Sequence, residues 1–88
     1  MNNEQLEEYL SQYEQSYYEY LKTLKTSELK NRVESESNYT INSSDNRELL
    51  ISDIIYDETL KLKYDIIDYN LTHKQIKNKI EYIKQQIK

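Results

Sequence analysis

Apolar side chains along this chain recur at helical intervals. Leu6, Leu10, Tyr13, Tyr17, Leu21 and Leu24 are separated by four, three, four, four and three positions, which gathers them on one face of a helix. Glu7, Glu8, Gln12 and Glu19 fall on the other side. The spacing predicts a helix from residue 3 to about 33. Its stripe fades after Leu24, through Lys25, Thr26, Ser27 and Glu28, so 25–33 reads as frayed or as a separate turn. Residues 34–44, ESESNYTINSS, are rich in Ser and Asn and poor in apolar residues, the composition of a loop. Tyr39 and Ile41 are expected to fold back over the end of a bundle. Ser44 or Asp45 is expected to cap the next helix, with Asp45 and Glu48 spaced as in a capping box.

From about residue 45 to 88 a longer pattern begins. Ile55, Thr59, Leu62, Ile66, Tyr69, His73, Ile76, Ile80, Ile83 and Ile87 alternate steps of four and three, a seven-residue repeat of the coiled-coil kind. The segment YNLTHKQIKNKI, residues 69–80, admits two readings: a fresh helix opening near Thr72, or one helix running straight through. The stripe keeps its phase from Tyr69 to Ile76, which favours the single helix. A second stripe, Leu49, Tyr56, Leu60, Tyr64, Ile67 and Leu71, lies on nearly the opposite side. A helix that is apolar on two sides requires two neighbours.

These elements give one all-α domain over 1–88: a helical hairpin with a long C-terminal helix, pairing into a dimeric four-helix bundle or coiled-coil-like assembly. The alternative is a compact three-helix bundle with a break near 70–72. At 1.5 Å per residue the first helix would reach roughly 45 Å and the second roughly 65 Å. Ile80, Ile83 and Ile87 would then project past the end of the first helix, with Ile76 near it. Together with Leu60, Tyr64, Ile67 and Leu71 they are the expected homodimer interface. Burying such a side chain is worth about 1.5–3 kcal/mol.

Composition sharpens this picture in three ways. With 36% hydrophobic and 32% charged residues in 88, a single-chain core is thin and outside support is expected. The absence of cysteine excludes disulfides and thiolate metal sites. The absence of Gly and Pro removes the usual residues of tight turns and helix breaks. Abundant Ile, Lys, Asn and Tyr beside missing Ala, Gly and Pro match A/T-rich codons, and so an AT-rich bacterium, its phage or another mobile element. The polar N-terminus is unlike a signal peptide and no apolar run approaches membrane length, so a cytoplasmic protein without membrane contact is expected.

Residues 1–21 carry five acids and no base, whereas 72–88 carry Lys74, Lys77, Lys79, Lys84 and Lys88 against Glu81 alone. Side by side in an antiparallel hairpin these segments attract, although exposed pairs are worth only ~0–1 kcal/mol each. The single histidine, His73, reads as a partly buried seam residue that fixes register. Glu-x-x-His motifs of di-metal bundles are absent, and no nucleophile, base or cofactor motif is legible, so catalytic, metal and cofactor roles are not expected. Ten tyrosines stand without Phe or Trp, and Tyr9, Tyr18 and Tyr20 are candidates for a partner patch. The expected function is a non-enzymatic protein-binding module, a small regulator or inhibitor acting in defence evasion or host takeover. A virion scaffold or assembly chaperone is the alternative. A DNA-binding regulator that uses Lys74, Lys77 and Lys79 is a third, disfavoured because the neighbouring acidic segment would repel phosphate.

Overall fold

The computed structural model describes residues 1–36 and 46–87 and consists of four helices: α1 (Asn3–Leu21), α2 (Thr26–Glu36), α3 (Arg47–Tyr69) and α4 (His73–Gln85). No strand occurs among the described residues. The all-α expectation holds, but each long helix is divided in two. The places assigned to Tyr39, Ile41, Ser44 and Asp45 lie outside the described residues.

α1 starts where a capping box starts it. The Asn2 side chain accepts the Gln5 backbone N–H at 2.8 Å, and Gln5 Oε1 accepts the Asn2 N–H at 3.3 Å. The helix ends at a tightened turn in which the Thr23 hydroxyl donates to the Tyr20 carbonyl at 2.6 Å, and the Leu24 N–H bonds Leu21. The Lys25 N–H then donates to Glu28 Oε1 at 3.2 Å, so a glutamate three residues on fixes the start of α2. The 25–33 segment is therefore neither frayed nor a bare turn: from Thr26 on it lies in a second helix that buries Leu29 and Val33. Arg47, the first residue of α3, ties down this corner by donating to the Lys22 carbonyl at 2.7 Å. α3 itself is capped by Asn46, whose side chain accepts from the Glu48 and Leu49 N–H groups, in place of the expected Ser44 or Asp45.

The expected continuous helix over 45–88 is corrected at residues 70–72. Asn70 adopts the left-handed conformation, φ 51° and ψ 52°, the usual way for a helix to stop. Two residues later Thr72 opens α4 with a reciprocal box: its Oγ1 accepts from the Gln75 N–H at 3.2 Å, and its own N–H donates to Gln75 Oε1 at 2.8 Å. The α4 end of the corner thus replaces missing intrahelical bonds with local ones, and the chain turns without Gly or Pro.

The turn carries α4 back along α1. Ile76, Ile80 and Ile83 enter the same core as Tyr13, Tyr17 and Leu21, and Ile76 is fully buried. Of the three isoleucines expected to overhang, Ile80, Ile83 and Ile87, the first two are buried by their own chain, so the overhang that called for a dimer does not exist in that form. Ile87, just past α4, is half-buried. α3 packs against both α1 and α2 through Leu50, Ile51, Ile54, Leu62 and Ile66. Tyr69 and His73, assigned to the seam by the heptad reading, are exposed, Tyr69 at 76%. The break near 70–72 is the feature of the three-helix alternative that the structure contains. A second break at 22–25 makes four helices among the described residues.

Candidate protein-interaction face

With Leu50, Ile54, Leu62 and Ile66 turned inward, the second stripe of α3 must face out. Leu49 is 53% exposed, Tyr56 60%, Tyr64 56% and Ile67 59%, and Leu60 is half-buried beside them. Residues 49–67 span 18 rises, about 27 Å, on a helix about 10 Å wide, so the strip has a footprint of roughly 300 Å². A contiguous apolar patch of that size would match the largest on a typical monomer, a feature often tied to function; here Asp53 and Lys63 divide it. Single exposed apolar residues need no explanation; four aligned on one helix of an 88-residue chain do.

Two charged residues interrupt the strip. Asp53 and Lys63 lie at helical positions in line with it, and neither forms an ion pair among the described residues. Beside it, Lys61 pairs with Asp57 at 3.3 Å and Glu58 at 3.6 Å. Leu71, the last member of the stripe in sequence, does not share this face. It lies past the Asn70 corner and packs on the core.

The other candidate residues are dispersed. Tyr9 and Tyr20 lie on one side of α1 and Tyr18 about 160° away, so the three do not form one patch. Each is half-buried and engaged at home. The Tyr9 hydroxyl is 2.7 Å from His73 Nδ1 with the rings edge-on, the Tyr20 hydroxyl accepts from Arg32 at 2.9 Å, and Lys22 sits 5.0 Å over the Tyr18 ring. Lys74, Lys77 and Lys79 are exposed on α4. α4 packs along α1 instead of crossing α3, and α1 carries Glu4, Glu7, Glu8 and Glu14.

His73 belongs to the α4 corner, not to a seam. A cleft of about 520 Å³ opens there between Met1, Leu6, Ile66, Ile67 and Leu71, rimmed by Asn3, Asn70, Thr72 and His73. The Thr72 hydroxyl is already engaged in the cap, and the His73 ring meets Tyr9, so the rim holds few polar groups directed at a ligand. Among the described residues no three His, Asp or Glu side chains gather as a metal site. No helix among them is long and apolar enough to cross a membrane.

Tyr13 shows how closely α1, α3 and α4 pack. Burial pushes its hydroxyl well above the usual tyrosine range, and the neighbouring Tyr17, Glu58 and Asp65 add to the effect. Comparison of the chain with protein-family models, curated proteins and solved structures finds no match. The functional reading therefore rests on the surface itself.

Proposed function

We propose that this protein is a small α-helical protein-interaction module whose working surface is the outer face of α3. The observation that supports this reading is the strip of Leu49, Tyr56, Tyr64 and Ile67, held out on a helix whose opposite side is fully used by the core. Aromatic and branched apolar residues on a rigid element bind at low entropic cost, because the helix is ordered before the partner arrives. No catalytic step is assigned to it. A regulator or inhibitor that acts by occupying another surface is the role such a face serves best, and a composition weighted to residues with A/T-rich codons fits a mobile element of an AT-rich bacterium.

A photo-crosslinking amino acid at Tyr64, and separately at exposed Ser11 on α1, tests this reading in extract of the producing cell. Discrete protein adducts are expected from position 64 and none from position 11, with loss of the adducts on Ile67→Glu. Equal labelling from both positions, or no adduct at all, would overturn it.

A second reading is nucleic-acid binding through α4, favoured by one observation: the 70–72 break makes α4 a short, separately capped helix with Lys74, Lys77 and Lys79 exposed. It predicts a salt-sensitive mobility shift that Lys→Glu changes at these positions abolish. The absence of a shift at low salt dismisses it.

A further inference from the structure

The strip on α3 has an internal order that identifies its occupant. Written as a coiled-coil seam, Leu49, Asp53, Tyr56, Leu60, Lys63 and Ile67 follow steps of four, three, four, three and four, the spacing of alternating d and a positions. Antiparallel seams pair an a residue of one helix with a d residue of the other. One register uses all six positions. About a two-fold axis beside residue 58, Leu49 meets Ile67, Tyr56 meets Leu60, and Asp53 meets Lys63, each pair occurring twice by symmetry.

From this pattern, and resting on the reading of α3 as the interaction face, we infer that the occupant is a second copy of the chain, docked with its α3 antiparallel to the first. Charge selects this arrangement over its rivals. In a parallel, in-register pair Asp53 would face Asp53 and Lys63 would face Lys63, placing two like-charge contacts in the seam. Sliding the antiparallel pair by one heptad sets Asp53 against Tyr56, or Lys63 against Leu60, and leaves part of the strip uncovered. Only the register about residue 58 satisfies both charges and covers all four apolar seam positions, Leu49, Tyr56, Leu60 and Ile67. Asp57, which approaches its own symmetry mate on the flank, is offset by Lys61 at 3.3 Å on its own helix. The small footprint implies a reversible dimer that forms as concentration rises.

Sedimentation equilibrium from about 10 µM to 1 mM tests this, with far-UV circular dichroism confirming that the exposed-site variants fold. The wild-type chain should pass from monomer to dimer. Asp53→Lys and Lys63→Asp should each weaken association at least about ten-fold, because each breaks two symmetry-related pairs. The double variant D53K/K63D should recover to within about three-fold, since exchanging both charges restores every antiparallel pair and no parallel one. A wild-type chain that stays monomeric at 1 mM, or a double variant no tighter than the singles, overturns the inference. The cross-linker at Tyr64 separates this failure from that of the parent reading. Adducts of twice the chain mass support self-docking. Adducts with other proteins alone reject self-docking while leaving α3 as the interaction face, and the absence of any adduct rejects both.

Discussion

Replacing Asn70 distinguishes a broken from a continuous C-terminal helix by the sign of the effect. Asn70 sits at φ 51°, ψ 52°, where a residue with a Cβ pays about 1–2 kcal/mol and asparagine less than most. Asn70→Ala should therefore cost about 1 kcal/mol. Asn70→Gly removes the Cβ altogether, and the greater freedom of the unfolded chain offsets part of the gain, so it should be neutral or slightly stabilising. In an unbroken helix the order reverses: alanine would stabilise by about 0.5 kcal/mol over asparagine, and glycine would destabilise by a few tenths. A chain of 88 residues has a total stability of roughly 4–13 kcal/mol. A change of 1 kcal/mol moves a urea midpoint by several tenths of a molar or more, well within the resolution of circular dichroism at 222 nm. An alanine variant more stable than the wild type, with glycine below both, would refute the corner at residues 70–72.

Three further outcomes follow from the packing. Ile76→Ala, at a fully buried site between α4 and α1, should cost about 2–5 kcal/mol by urea unfolding, whereas Tyr82→Ala on the exposed side of the same helix should cost under about 0.5; similar losses for both would contradict the docking of α4. Because the Tyr13 hydroxyl keeps its proton in the fold above the pH at which an unfolded tyrosine loses it, its stabilising effect is complete below pH 10 and declines as pH rises further. Tyr13→Phe should flatten the fall of unfolding free energy above pH 10, and an unchanged slope would count against the burial of this ring. Arg47→Met should cost about 1 kcal/mol by releasing the Lys22 carbonyl at the α1–α2 corner, and a variant as stable as the wild type would show that this bond contributes nothing.

Much of the fold was legible in the chain, and the misreadings have definite causes. The stripe through Tyr13, Tyr17 and Leu21 predicted the buried face of α1 because helical periodicity there is uninterrupted. The α1–α2 corner left a trace in the step of five from Leu24 to Leu29, which no single helix face accommodates, while Glu28 supplied the new start. At residues 70–72 the apparent heptad continuity depended on Tyr69 and His73, neither of which is apolar enough to demand burial. The core instead steps by five twice, from Ile66 to Leu71 and from Leu71 to Ile76. Thr72 and Gln75 carried the spacing of a capping box, and that local chemistry outweighed a stripe completed with polar residues. Reading Ile76, Ile80 and Ile83 as an interface followed from the same error, since apolar spacing identifies a face to be buried and does not say by which chain. The outward strip on α3 was visible as a second stripe. Asp53 and Lys63 sit within it without disturbing its apolar spacing, so apolar periodicity alone does not reveal the charges on which the proposed antiparallel register depends.

The absence of cysteine allows single labels to be placed on α3 without other changes, and double electron–electron resonance on such labels measures its pairing most directly. Spin labels at exposed Ser52 and, separately, at exposed Asp68 lie six and ten residues from the proposed axis beside residue 58. At 1.5 Å per residue the antiparallel dimer places label pairs about 20 Å apart at position 52 and about 30 Å apart at position 68. Short, equal separations at both positions, or no dipolar coupling at concentrations approaching 1 mM, would contradict the self-docking of α3.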